Sequence, residues 1–127
     1  MTIWLGRALI LAIHDEQIAR HGGMPGLRDE GLLESALARP LNRAGYAEPD
    51  IAELGAFYTL GIARNHLFVD GNKRVAFAAL FTFLALNGME FEPPEVEATM
   101  TILSMAAGET DDDAFIAWVR RHAAPPA

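Results

Sequence analysis

Apolar residues recur at three- and four-residue spacings through most of the chain, and no stretch shows the convincing period-two alternation of a half-buried strand. The pattern predicts an all-α protein, a single-domain helical bundle around a buried central helix. A first helix from about Leu5 to Arg20 stops at Gly22-Gly23, where positive φ costs little. After the MPG turn, Asp29 is placed to cap a short helix through GLLESALAR that Pro40 closes, and Pro49-Asp50 opens a third carrying Ile51, Leu54, Phe57, Tyr58 and Ile62. From Lys73 to Leu86 the chain is apolar on nearly every face, which predicts the helix that the others surround. Asn87-Gly88 ends it. Pro93-Pro94 starts another helix through Met105, Gly108 stops that one, and Thr110 with Asp113 reads as a capping box for a last helix holding Phe115, Trp118 and Val119. Residues 122–127 are expected to fray.

Length adds that 127 residues make one domain able to bury a core without staples. With no cysteine, thiol catalysis, thiolate metal sites and disulfides drop out, and a reducing cytoplasm is the compatible location. The apolar run VAFAALFTFLALNG is too short to cross a bilayer, which takes roughly 18–20 residues, and Arg7 interrupts the only stretch resembling a signal sequence. No membrane span is expected.

Charge changes the picture more. The net value is −7, which disfavours direct nucleic-acid binding, yet residues 64–74 hold Arg64, Lys73 and Arg74 against Asp70, a local +2. A small basic site on an acidic body suits a compact anion. Lys73 is the chain's single lysine, and it stands with Arg74 where the apolar helix begins. Backbone N–H groups there point outward with the positive end of the helix dipole, Gly71 lets a phosphate approach closely, and cations in a first turn oppose the dipole unless something negative joins them. Asp70 is an oxygen donor suited to Mg²⁺, and His66 is a side chain able to take a proton from an attacking hydroxyl. Arg64 is a weaker candidate for the same anion.

Each residue also has a plain structural use: Asp70 as a turn cap, Asn72 as a turn residue, Gly71 as a hinge, Phe68 as a core wedge. Their coincidence within nine residues favours phosphoryl or nucleotidyl transfer, which depends mainly on positioning and charge neutralisation. The Walker pattern, protein-kinase strings and H-E-x-x-H are absent. His14 and His21, seven apart, are too distant along a helix to share a metal and read as helix-surface or capping groups.

HLFVDGNKR resembles the H-x-F-x-[DE]-G-N-[GK]-R signature of the Fic/Doc superfamily, and its lysine form resembles the Doc (death-on-curing) branch. HDEQIARHGGMPGLRDEGLLESALAR resembles the N-terminal part of the same branch, so the likeness runs from about Ile10 to Arg121. The resemblance implies that His66 is the base, Asp70 the magnesium ligand, and Gly71, Asn72, Lys73 and Arg74 the phosphate cradle, with ATP and Mg²⁺ as the small partners. Where Fic enzymes carry a second glycine and a further arginine this chain has Lys73 and Ala78, departures that argue against AMP transfer. The implied activity is transfer of the ATP γ-phosphate to a protein hydroxyl, that of elongation factor Tu, stopping translation. AMP transfer is the alternative, and a non-catalytic nucleotide- or peptide-binding module is the third reading. No Ser or Thr is followed four positions later by Glu, so the self-inhibiting [ST]-x-x-x-E-[GN] helix of Fic proteins is missing. Inhibition is expected in trans from a small antitoxin whose C-terminal segment folds as a helix into a groove. The target-docking flap of the family falls in residues 22–29 or 40–49.

Overall fold

The computed structural model describes residues 1–126; Ala127, the last residue of the expected frayed tail, lies outside the described residues. Six helices follow in order: α1 (Arg7–His21), α2 (Glu30–Tyr46), α3 (Ile51–Asn65), α4 (Asn72–Leu86), α5 (Glu95–Ala106) and α6 (Asp112–His122). Aspartates start three of them. Asp29, Asp50 and Asp111 accept hydrogen bonds from the backbone N–H three residues on, satisfying donors that a helix start leaves open.

The most enclosed helix is α3 rather than α4. It packs against α2, α4, α5 and α6 and buries ten of its fifteen residues. Two glycines permit this. A β-carbon on Gly55 would lie 3.0 Å from the Leu80 side chain of α4, which would have to shift, and one on Gly61 would lie 3.1 Å from Ala36 of α2, whose backbone is nearly as close. The apolar helix α4 buries Val75, Ala76, Ala79, Leu80, Phe83 and Leu84, but on its other side Phe81 is half exposed and Phe77 only partly covered.

Pro40 does not close α2, which continues to Tyr46. A proline inside a helix costs about 3 kcal/mol or more, and tertiary contacts on both sides of it offset that cost. Pro40 is itself buried, Arg39 and Arg43 both stack on Phe57, and Arg43 pairs with Glu53. The last helix is capped by Asp111, not by a Thr110–Asp113 box, because Arg64 takes the Thr110 carbonyl and the chain turns one residue later. Two short strands, absent from the pattern, pair antiparallel: β1 (Glu90–Phe91) and β2 (Ala123–Ala124). The end expected to fray from residue 122 is therefore held through Ala124, with Phe91 and Trp118 in a T-shaped contact.

Candidate active site

The motif loop connects the C-terminus of α3 to the N-terminus of α4, so it lies between two helix ends of opposite polarity. His66 caps α3 in the left-handed conformation, φ 50°, ψ 59°, the one non-glycine residue among those described with positive φ. A side chain there costs roughly 1–3 kcal/mol unless its surroundings hold it. Its side chain is exposed. Leu67 and Phe68 then plunge into the core, and Asn72 closes the loop: its Oδ1 accepts from Phe68 N–H and its Nδ2 donates to the Phe68 carbonyl, both at 2.9 Å. The Asn72 side chain is thus spent on the loop, while its backbone N–H belongs to the open first turn of α4.

Below the loop sits His14, which is buried and stacked on Phe68 with ring centroids 3.9 Å apart. Its Nε2 lies 3.0 Å from the Asp70 carbonyl, a contact that calls for the Nε2–H tautomer. The expectation of a helix-surface role for His14 fails because α1 passes directly under the loop. His21, by contrast, is exposed.

At the α4 start, Gly71 occupies the cap position with φ 77° and offers no side-chain acceptor, and the first turn contains no acidic residue. The first helical bond there runs from Val75 N–H to the Gly71 carbonyl, leaving the N–H groups of the preceding turn for an outside acceptor. Asp70 and Arg74 converge on residues 22–24. Met24 N–H donates to Asp70 Oδ2 at 3.2 Å, Arg74 Nη2 donates to the Gly22 carbonyl at 3.1 Å, and a β-carbon on Gly23 would touch both side chains. Lys73 is exposed beside them.

Arg64 does not join this cluster. It leaves α3 on the other side, where Asp112 and the carbonyls of Met105 and Thr110 take up its donors in a half-buried network shared with Arg39. Among the described residues, six of the ten cations sit in ion pairs: Arg7, Arg20, Arg39, Arg43, Arg64 and Arg120. Of the four others, Arg28, Lys73 and Arg74 stand at this loop, so the positive charge left without a carboxylate is concentrated here.

Residues 26–29 run antiparallel to the loop. Val69 N–H donates to Gly26, Arg28 and Asp29 N–H both donate to Leu67, and Leu27 bridges Phe68. Of the two candidate flap segments, 22–29 is therefore the one beside the motif, while 40–46 is helix. Pattern reading missed Arg28, whose Nε and Nη2 donate to the carbonyls of His66 and Asn65 at 2.7 and 3.1 Å; only its position at the tip of a Gly-rich turn hinted at a loop role.

An uncapped helix start with two cations fits a phosphorylated ligand. No group of three or more His, Asp or Glu side chains forms a metal cluster among the described residues, so a Mg²⁺ ion here would take Asp70 and complete its shell with phosphate oxygens and water. Beside the cluster an apolar groove of about 620 Å³ extends between α1, α4 and α5, with Lys73 and Arg74 at its rim and Phe77, Phe81, Ile102 and Leu103 along it.

These features gather cations unpaired among the described residues and an open helix start on a helical scaffold, and the comparison with known proteins gives the chain a class. The chain belongs to the Fic/DOC family, whose profile matches residues 4–84. It is similar to the protein kinase doc of Escherichia phage P1, 38% identical over 114 residues that cover 88% of this chain and 89% of that protein. It is also similar to the toxin Doc of Mycolicibacterium smegmatis, 46% identical over 72 residues, 54% of this chain and 55% of that one. No helix of the described residues is long and apolar enough to cross a membrane.

Proposed function

We propose that this protein is a toxin kinase that transfers the γ-phosphate of ATP to a hydroxyl of a translation factor, elongation factor Tu by family resemblance. The observation that carries the proposal is the uncapped start of α4, where open N–H groups, Lys73 and Arg74 meet with no acidic residue in the turn. In this reading His66 takes the proton of the acceptor hydroxyl, whose oxygen forms the new bond to the γ-phosphorus as the bond to the β–γ bridging oxygen breaks and ADP leaves. Lys73, Arg74 and the N–H groups at Asn72 and Lys73 bind the phosphates and meet the negative charge as it shifts. Asp70 would hold Mg²⁺, which supplies charge neutralisation when bound. Residues 22–29 would present the target, with Met24 and Val69 exposed along that edge. The groove beside α4 is the seat we assign to an antitoxin helix, placed so that its occupant reaches Lys73 and Arg74.

The test is labelled ATP incubated with elongation factor Tu. Label from the γ position on the factor is the expected result; label from the α position would replace the reading with AMP transfer, and none from either would leave a binding module. His66→Ala should lower turnover about 10²- to 10⁴-fold with nucleotide binding retained. The neighbour-encoded antitoxin should silence the reaction and Phe81→Glu restore it; labelling that persists beside the antitoxin removes that partner.

A further inference from the structure

His66 sits where a chain end is hardest to hold. Its left-handed backbone is one that L side chains rarely adopt, the last carbonyls of α3 have no partners within the helix, and its own side chain faces solvent. Nothing local explains why this peptide keeps one orientation.

One residue supplies the missing constraint. Arg28 reaches three consecutive carbonyls around the histidine: its guanidinium donates to Asn65 and His66, and its backbone N–H donates to Leu67 at 2.8 Å. Turning the His66 peptide in either direction breaks at least one of these bonds. The cation also lies at the C-terminal, negative end of α3, where charge favours it. Its planar fork holds two oxygens at once, which an ammonium on a flexible stem does not reproduce. Arg28 is exposed and pairs with no carboxylate among the described residues, so its charge is not committed to a surface ion pair.

We propose that Arg28 is a positioning residue for His66, fixing the backbone from which the imidazole reaches the acceptor hydroxyl; its kinetic side rests on the kinase reading above. A shift on the order of 1 Å in a reacting group costs up to about 100-fold in rate. The full chain is compared with Arg28→Ala, Arg28→Lys and Arg28→Gln. Expected is a fall in kcat of roughly 10- to 100-fold, with KM for ATP and for the protein target nearly unchanged. Melting temperature should fall by only a few degrees, since two solvent-exposed hydrogen bonds are lost and the core is untouched. Free guanidinium should restore part of the rate to Arg28→Ala, and Arg28→Lys should recover less than that. A second readout needs no activity. Of the four histidine ring resonances, the one missing in His66→Ala should shift in Arg28→Ala while those of His14, His21 and His122 stay in place. An unchanged kcat with an unmoved His66 resonance overturns the proposal. So does a loss confined to KM, which would put Arg28 in contact with substrate, or a loss that tracks a lowered melting temperature and resists guanidinium. If the wild type transfers no phosphate at all, the kinase reading fails, while the resonance shift still decides the role of Arg28.

Discussion

Two helix starts in this molecule are built on opposite rules. At α6, Asp111 caps the turn, Asp112 and Asp113 follow within it, and Arg39 and Arg64 pair with Asp112 from neighbouring helices. The acids suit the helix dipole, and Asp111 and Asp112 both find partners. At α4, glycine holds the cap position, acids are missing, and Lys73 and Arg74 oppose the dipole with no carboxylate paired to either among the described residues. The first arrangement completes itself; the second leaves open N–H groups and two cations without an acidic partner among the described residues, the contrast on which the proposed phosphate site rests.

The largest expected break in this contrast comes from Lys73→Glu. An acid in the first turn should stabilise the folded protein by about 0.3–1 kcal/mol through the dipole. Losing one charged phosphate contact, worth about 1.5–3 kcal/mol, should weaken ATP binding on the order of 10- to 100-fold. Calorimetry and thermal melting of one variant then move in opposite directions, and a drop in both would mean that Lys73 supports the fold. Smaller is the reverse case. Asp111→Ala removes a cap and should cost about 1 kcal/mol in denaturant titration, with ATP affinity unchanged; altered affinity would show that the two ends are coupled.

Smallest is an effect of acid. Burial raises the Asp112 carboxyl, but hydrogen bonds from Arg64 and Arg39 outweigh it and hold the group below its usual value. A depressed folded value means that this contribution is complete above the unfolded value of about 4 and fades as pH falls through the folded one. Melting followed from pH 5 to pH 2 should therefore decline less steeply in Asp112→Asn than in the wild type. Equal slopes would assign the acid sensitivity elsewhere.

What the sequence disclosed follows from distance along the chain. Gly71, Asn72, Lys73 and Arg74 are adjacent, and a helix start is a local event, so its open donors and misplaced cations are legible from spacing alone. His14 and Arg28 act on the loop from 56 and 38 residues away, and no local pattern says which side of α1 meets Phe68 or where an arginine fork lands. Arg64 shows the converse error. Sequence proximity grouped it with the motif, but on a helix its side chain leaves in another direction and finds Asp112. Pro40 misled because contacts of Arg39 and Arg43 with Phe57, invisible in propensity, outweigh the broken backbone bond. The rank of α3 over α4 depends on Gly55 and Gly61, whose lack of side chain reads as weak helix but acts as close packing.

The backbone ladder between residues 26–29 and the loop has an evolutionary consequence. In the proposed reading, one strip of chain both orients the histidine, through its inner edge, and offers its outer edge to the protein that docks there. Changes selected for a new victim will therefore alter catalytic speed as well. Laboratory variants of that strip should trace a single trade-off curve between choice of target and rate, rather than drifting along each axis separately.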